Sequence, residues 1–104
     1  MIRAYKQEDF EELIGLIQHN TPPFFDASEE ILFRNYLNSE PNYYVIEQNK
    51  DIVAGGGFEL DNKHTASLSW GMICPNWQRK GLGTELTQFR IKEISKNPDI
   101  QKVC

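Results

Sequence analysis

The spacing of apolar residues predicts two amphipathic helices in the first third of the chain. A short strand at residues 2–5 precedes the first helix, which we expect from residue 7 to about residue 18. Its apolar residues recur three and four positions apart, which gives one face for a core. They are Phe10, Leu13, Ile14 and Ile17. Glu8 and Asp9 fall in the first turn, where the helix dipole favours acidic side chains.

Prolines and a cap signal separate the two helices. The run Thr21-Pro22-Pro23 predicts the end of regular structure. Asp26, with Glu29 three positions later, is typical of a capping box, and the second helix would run from there to about residue 37. Pro41-Asn42 then breaks the chain again.

After residue 42 the apolar period becomes that of strands. Residues 43–47 and 52–60 predict a hairpin with a turn at 49–51. Three successive glycines at 55–57 indicate a bulge or a close backbone approach in its second strand. Residues 61–64 predict a turn, and residues 65–74 a third strand with one apolar face. That face would carry Ala66, Leu68, Trp70 and Met72.

A glycine turn follows the third strand. Residues 78–84 read Gln-Arg-Lys-Gly-Leu-Gly-Thr and open an amphipathic stretch, which predicts a helix from residue 81 to about residue 96. Backbone N–H groups at a helix N-terminus lack intrahelical partners, and the dipole adds positive charge there. Glycine at 81 and 83 lets a ligand approach the backbone. The turn therefore predicts a site for a phosphate-bearing ligand.

The remaining elements complete one domain. We expect Leu82, Leu86, Phe89 and Ile94 to face inward on this helix, Asn97-Pro98 to end it, and residues 100–104 to start a strand. The order of elements predicts a single α+β (α/β) domain over residues 1–104, since the chain is too short for two.

Composition and charge narrow the class of protein. Hydrophobic residues make up 39% and charged residues 25%, which fits a folded globular domain. The net charge of −4 argues against a nucleic-acid partner, although Arg79-Lys80 is locally basic. Cys74 and Cys104 have no metal-ligand spacing and are typical of reduced thiols, so we predict no metal and a cytoplasmic location. No apolar run has membrane-spanning length, and the polar start does not resemble a signal peptide.

The glycine turn is distinct from two common phosphate-binding motifs. It lacks the first glycine of the dinucleotide fingerprint and the Gly-Lys-Ser/Thr ending of a P-loop. Residues 73–84, Ile-Cys-Pro-Asn-Trp-Gln-Arg-Lys-Gly-Leu-Gly-Thr, instead resemble the acetyl-CoA-binding motif of the GNAT superfamily of N-acetyltransferases. That motif is Gln/Arg-x-x-Gly-x-Gly/Ala after a strand ending Val-x-Pro. The order of the preceding elements is also similar, which implies a GNAT-like mixed, mostly antiparallel sheet flanked by helices.

The resemblance implies acetyl-CoA as cofactor and acetyl transfer to a small-molecule or peptide amine. In the family, backbone N–H groups of the glycine turn hold the pyrophosphate of coenzyme A. The matching positions are Arg79, Lys80, Gly81, Leu82, Gly83 and Thr84. The motif strand hydrogen-bonds the pantetheine arm and the thioester through its backbone. The matching positions are Gly71, Met72 and Ile73.

The catalytic base departs from the family pattern. Many members carry a glutamate on the motif strand to relay the proton of the amine, but the matching region here is Ser67, Leu68 and Ser69. Glu59, on the preceding strand, is the nearest carboxylate and is our candidate catalytic residue. The alternative is a solvated glutamate with no catalytic role. His64 is expected to be an exposed turn residue.

The end of the chain departs from the pattern too. Family members continue past the strand that matches residues 100–104 with a helix and two more strands, and these are expected to be lacking here. The last strand would then be an exposed edge that favours a homo-oligomer. A gene fragment, a short natural member and a fold completed by a second copy are the alternatives. Two functions stay open: an acyltransferase, and a non-catalytic acyl-CoA-binding or interaction module.

Overall fold

The computed structural model describes residues 1–21 and 25–104. These residues form, in chain order, β1 (Ile2–Ala4), α1 (Phe10–His19), α2 (Glu29–Leu37), β2 (Asn42–Gln48), β3 (Asp51–Leu60), β4 (Thr65–Ile73), α3 (Leu82–Ile94) and β5 (Lys102–Val103). Short 3-10 turns at Gln7–Asp9 and Pro75–Trp77 precede α1 and follow β4. The predicted break at Pro22 and Pro23 lies outside the described residues.

One sheet of five strands, in the order β1-β2-β3-β4-β5, runs through the described part of the chain. Strands β1 to β4 pair antiparallel, and β5 pairs parallel to β4. The predicted mixed, mostly antiparallel sheet is therefore confirmed. Strand β5 pairs with only the start of β4, where Thr65 lies opposite Lys102 and Ala66 opposite Val103.

Helices cover both faces of the sheet. The core on one face joins α1 and α2 to the sheet, and includes Leu13, Ile17, Phe33, Tyr43 and Met72. The core on the other face joins α3 to the sheet, and its buried members are Ile46, Val53, Ala54, Leu82 and Leu86. Helices α1 and α3, both predicted from their amphipathic patterns, thus cover opposite faces of the sheet. Strand β4 lies between these two helices.

Strand β4 carries a bulge opposite the glycine run of β3. Gly55 lies opposite Met72 and Gly57 opposite Ser69, so one residue of β3 faces two of β4. Trp70, one of those two, has a φ of +52° in the left-handed region. The bulge predicted at the glycines of β3 is therefore on the neighbouring strand, and the register shift that β3 itself has against β2 is at Val53, before the glycines.

The glycines of β3 serve the other predicted purpose, a close approach. A Cβ at Gly55 would lie 2.5 Å from the Tyr43 hydroxyl oxygen, and one at Gly57 would lie 2.5 Å from the carbonyl oxygen of Asn42. Real Cβ atoms do not approach other atoms so closely, so β3 needs glycine where these groups cross it.

The bulge also changes which face of the sheet the side chains of β4 cover. Ala66 and Leu68 pack with Ile94 on the α3 face. Trp70 and Met72 belong to the core under α1 and α2. The prediction that these four residues of β4 share a face is wrong, because one extra residue shifts the two-residue alternation of a strand.

The first helix begins later than predicted. Residues Gln7–Asp9 form a 3-10 turn, and the α-helix starts at Phe10. The carboxylate of Asp9 is buried and accepts hydrogen bonds from the Arg3 guanidinium at 2.8 and 3.0 Å and from the Lys6 N–H at 2.8 Å. These hydrogen bonds, the one from Arg3 above all, lower the pKa of Asp9. Asp9 thus anchors α1 to β1.

Only half of the predicted capping box forms before α2. The Asp26 N–H donates to Glu29 Oε1 at 3.1 Å, but Asp26 Oδ1 accepts from the Ala27 N–H at 3.0 Å instead of from the helix. The helix starts at Glu29 and ends at Leu37, where the sequence predicted its end.

Candidate functional site

Helix α3 begins without a capping side chain. Its first hydrogen bond runs from the Glu85 N–H to the Gly81 carbonyl oxygen at 3.1 Å. The N–H groups of Leu82, Gly83 and Thr84 therefore precede the hydrogen-bonded helix. Together with the helix dipole they give this end of α3 a positive potential, which favours an anion.

A pocket of about 520 Å³ lies between the end of β4 and α3. It brings together four of the predicted cofactor residues, namely Gly71, Met72, Ile73 and Gly83. Gln78, the first residue of the predicted motif, and Leu86, predicted to face inward, also line it. The sequence did not indicate the remaining lining residues, which are Asn20, Phe25, Thr87 and Arg90. None of these ten described residues is a carboxylate or a histidine.

The remaining predicted residues lie beside the pocket. Arg79, Lys80, Gly81 and Thr84 are exposed on the turn and the first helical residues. The side chain of Leu82 is buried in the core under α3, so only its backbone is available to a ligand. Two cationic side chains thus flank the N-terminus of α3.

The edge of β4 presents backbone N–H groups to the pocket. Cys74 donates its N–H to β3 at 2.7 Å, and Leu68 donates its N–H to Cys104, next to β5, at 3.1 Å. Successive N–H groups of a strand point to opposite sides. That of Ile73, next to Cys74 and beyond the bulge, therefore points away from β3, into the gap beyond the paired part of β5. An extended amide chain placed in this gap meets strand-like hydrogen-bond donors.

Gln78, the first residue of the glycine turn, links the two sides of the pocket. Its Nε2 lies 3.3 Å from the carbonyl oxygen of Ile73 and 3.5 Å from Oδ1 of Asn20. Asn20 is buried and donates to the carbonyl oxygen of Leu16 at 2.9 Å. Gln78 therefore positions the turn against β4 and the end of α1.

The two glycines of the turn have different local explanations. Gly81 has a φ of +84°, which favours glycine whatever binds there. Gly83 is within the helix, and a Cβ there would meet nothing within 4 Å. Protein packing therefore does not require glycine at 83, and the space beside it is open to a ligand at the uncapped helix end.

Glu59, the predicted catalytic residue, lies outside the lining of the pocket. It is exposed near the end of β3, opposite Ser67 of β4. On the same face of the sheet, the Tyr36 hydroxyl lies 3.3 Å from Oγ of Ser69. A proton-relay role for Glu59 stays a prediction.

Arg90 is the lining residue that departs most from expectation. It is only 6% exposed, and it lies four residues after Leu86 and four before Ile94, both of which are buried. The four-residue spacing of Leu86, Arg90 and Ile94 could have indicated that Arg90 lies on the buried face of α3. An arginine at such a position is, however, normally expected to extend its charged end to solvent.

Neither a metal-binding group nor a membrane-spanning helix is found in the described part of the chain. It holds no group of three or more histidine, cysteine, aspartate or glutamate residues placed to bind a metal ion. None of its helices is long and apolar enough to cross a membrane. Cys74 is half-buried and Cys104 exposed, and both are free thiols.

Comparison with known proteins identifies the family. A family model described as the acetyltransferase (GNAT) family matches residues 4–103. The chain belongs to the GNAT family. The resemblance seen in residues 73–84 is therefore confirmed over almost the whole chain. No curated protein matches it closely enough to serve as a relative.

Solved GNAT structures share the fold. The ribosomal-protein-S18-alanine N-acetyltransferase of Escherichia coli is 21% identical, with a TM-score of 0.76 over 92% of this chain and 59% of its own. A GNAT family acetyltransferase from Brucella melitensis, in complex with acetyl-CoA, is 14% identical, with a TM-score of 0.80 over 92% of this chain and 68% of its own.

A third similar structure is an aminoglycoside 6'-N-acetyltransferase complexed with coenzyme A. It is 15% identical, with a TM-score of 0.78 over 94% of this chain and 57% of its own. The chain thus spans about three fifths of the length of several structures that it matches.

Proposed function

We propose that this GNAT chain binds acetyl-CoA between β4 and α3 and transfers the acetyl group to a primary amine. One observation carries the proposal. The uncapped N-terminus of α3, with open space at Gly83, opens into the same pocket that the β4 edge lines. An anion site and a row of amide-binding groups lie next to each other, as a phosphate-bearing pantetheine ligand requires.

The proposed placement follows the geometry of the pocket. The pyrophosphate of coenzyme A binds the N–H groups of residues 82–84, with Arg79 and Lys80 as flanking cations. The pantetheine arm runs along β4 and bonds the N–H groups of Ile73 and Gly71. The thioester then lies beside the bulge at Trp70.

The reaction is a direct transfer. The lone pair of the amine attacks the thioester carbonyl carbon, a C–N bond forms, the C–S bond breaks, and coenzyme A leaves as a thiolate. The nitrogen loses a proton to a base or to solvent. Negative charge develops on the carbonyl oxygen during attack, and we assign the N–H of Gly71 to stabilise it.

A second candidate function is a non-catalytic acyl-CoA-binding module. It is favoured by one observation: no carboxylate or histidine lines the described pocket. An alkylamine is mostly protonated at neutral pH and has to lose a proton to react. Glu59 is our candidate relay, through water, from the exposed end of β3.

Two measurements separate these functions. Isothermal titration with coenzyme A and acetyl-CoA tests the site itself, and absence of binding would reject both functions. Thiol release is then followed with a panel of amines that includes peptides, aminoglycosides and polyamines. Binding without thiol release for any amine supports the module. If turnover is seen, Glu59→Gln should lower kcat about 100-fold or more without weakening acetyl-CoA binding. Unchanged kcat in that variant excludes Glu59 as the relay.

Self-association through β5 and a cytoplasmic location stay predictions. Both residues of β5 are exposed, as the edge argument requires. Native mass spectrometry of the chain, with a variant carrying Val103→Lys at that edge, tests the first: the prediction is a dimer or larger species that the substitution disperses.

A further inference from the structure

Arg90 brings an uncompensated positive charge into the acyl-CoA pocket. It is 6% exposed. The ion pairs of the described residues join Arg3 to Asp9 and Glu47, Arg34 to Glu30, and Lys96 to Glu93. Within the described chain Arg90 therefore has no carboxylate partner. Burial lowers the pKa of its guanidinium, but arginine starts so high that it remains charged.

Neutral groups satisfy only part of the guanidinium. Nη1 donates to the carbonyl oxygen of Gly57 at 3.1 Å and lies 3.5 Å from that of Ser69, and Nη2 donates to Oγ1 of Thr87 at 3.2 Å. Nε is buried and has no partner among the described residues. A guanidinium has five N–H donors, so these three contacts leave donors unused.

The fold makes room for this cation. A Cβ at Gly56 would lie 3.0 Å from Cζ of Arg90, and one at Gly71 would lie 3.5 Å from its Nη2. A glycine of β3 and a glycine of the β4 bulge therefore both face the guanidinium. Its place is next to Gly71, whose N–H we assign to the thioester.

The guanidinium of Arg90 is too far from the proposed phosphate site to bind the phosphates of coenzyme A. The proposed function puts them at Gly83, seven residues before Arg90, and seven residues span about 10 Å of helix. The guanidinium contacts the carbonyl oxygens of Gly57 and Ser69 on the sheet, so it lies at the thioester end of the pocket.

An oxyanion at the thioester does not require a full charge either. A neutral N–H donor stabilises such a transient charge, and β4 already supplies one. A buried ion without a partner is strongly unfavourable at all times, whereas an apolar side chain would pack on this stripe at no such cost. A permanent anion in the substrate explains the arginine better.

We propose that Arg90 binds a carboxylate that a substrate carries close to the reacting thioester. This inference rests on the proposed acyl-CoA function and narrows its substrate class. Two sources supply the same chemistry: the terminal carboxylate of a dicarboxylic acyl group on coenzyme A, or the α-carboxylate of an amino-acid acceptor. Arginine suits either, because its planar fork matches a carboxylate.

The donor arm of the test compares two acyl groups of equal length. Succinyl-CoA and butyryl-CoA both carry four acyl carbons, and only the first ends in a carboxylate. We expect isothermal titration to show succinyl-CoA binding about tenfold or more tightly if the donor supplies the carboxylate. In Arg90→Gln the two affinities should become equal.

The acceptor arm compares alanine with ethylamine, which lacks only the carboxylate, on protein saturated with acetyl-CoA. If the affinity for alanine is about tenfold or more higher than that for ethylamine, and Arg90→Gln removes the difference, the acceptor supplies the carboxylate. Lys92→Gln is the matched control for both arms. It removes an exposed positive charge from the same helix and should preserve whichever preference is seen.

Each outcome is decisive. The inference is overturned if neither arm shows a preference, or if the preference survives in Arg90→Gln. If that variant does not fold, the wild-type protein still tests the inference. Equal affinities for succinyl-CoA and butyryl-CoA, and for alanine and ethylamine, would overturn it. Failure of coenzyme A itself to bind rejects the proposed function, and the inference falls with it. Binding of coenzyme A with equal affinities for the matched ligands rejects the inference alone.

Discussion

The hydroxyl of Tyr43 donates a hydrogen bond of 2.9 Å to the carbonyl oxygen of Trp70. Tyr43 is 1% exposed, and burial raises the pKa of its hydroxyl well above the ordinary value, so the group is a protonated donor at neutral pH. Trp70 has the positive φ of the β4 bulge. A core tyrosine therefore holds the strained residue beside which we place the thioester.

Replacing that tyrosine tests whether the bulge depends on it. Tyr43→Phe should destabilise the fold by about 1–3 kcal/mol, because it leaves a partly buried carbonyl oxygen without its donor. Acetyl-CoA binding should weaken as well, since Gly71 follows the released residue. Urea unfolding and isothermal titration measure the two effects.

Tyr5 supplies the control for this substitution. Its ring packs edge-on against Tyr43 at 6.3 Å, but its own buried hydroxyl has no partner in the described part of the chain. Tyr5→Phe should therefore be neutral or slightly stabilising. An equal loss of stability in Tyr5→Phe and Tyr43→Phe would contradict the role of the hydrogen bond.

The glycines of β3 should differ in their tolerance of a methyl group. Gly57→Ala places a Cβ 2.5 Å from a backbone carbonyl oxygen, and backbone cannot move aside cheaply. Gly56→Ala meets the ends of Arg90 and Leu86 at 3.0 Å, which are flexible. Thermal unfolding should show Gly57→Ala as the more damaging, by about 1–3 kcal/mol. The reverse order would mean that β3 and β2 are not packed as described.

Asp9 predicts a pH-dependent contribution to stability. Its folded pKa is lowered, so the unfolded carboxyl binds protons more readily. The stabilisation is complete above the unfolded pKa of about 3.9 and is lost as the pH falls through the lower folded pKa. Asp9→Asn should cost about 1–3 kcal/mol at neutral pH and progressively less in acid.

Urea unfolding of both proteins across this pH range gives the difference directly. Glu11→Gln is the control, because Glu11 is an exposed carboxyl in the first turn of α1. Its free energy of unfolding should stay within about 0.5 kcal/mol of the wild-type value. A cost of Asp9→Asn that is the same at every pH would exclude the ion pair as its source.

Gly83 separates ligand binding from folding. Gly83→Asp adds an acidic side chain at the second residue of α3, where the dipole favours it and no protein atom obstructs it. The same charge opposes the phosphates of coenzyme A. We expect unchanged or slightly increased stability and loss of detectable binding by isothermal titration.

Gln88→Glu is the matched charge control for Gly83→Asp. It adds one negative charge to an exposed position of the same helix, outside the lining of the pocket. Its affinity for coenzyme A should stay within about threefold of the wild type, because an exposed charge at that distance is screened. Normal affinity in Gly83→Asp would reject the pyrophosphate site.

The local patterns predicted most of the fold because each depends on neighbours in sequence. Apolar spacing located α1 and α3, and the glycine turn located one end of the pocket, where we propose the anion site. The bulge at Trp70 could not be predicted, because it is a property of the register between β3 and β4, and the tyrosine that bonds it, Tyr43, is distant in sequence. Arg90 was missed for a related reason: the glycines that accommodate it lie 34 and 19 residues away in sequence.

Because β4 is only partly paired on its β5 side, ligand binding there can be followed by deuterium exchange of individual backbone amides. In the free protein, the N–H of Ile73 faces a gap, and the N–H of Gly71 is the one that we assign to the thioester. Both should exchange with deuterium within the fast phase. An amide such as that of Cys74, bonded to β3 at 2.7 Å, should exchange slowly whether or not ligand is present. Slower deuterium uptake at Gly71 and Ile73, compared with that at Cys74, thus reports that the pocket is occupied. The ligand needs no label.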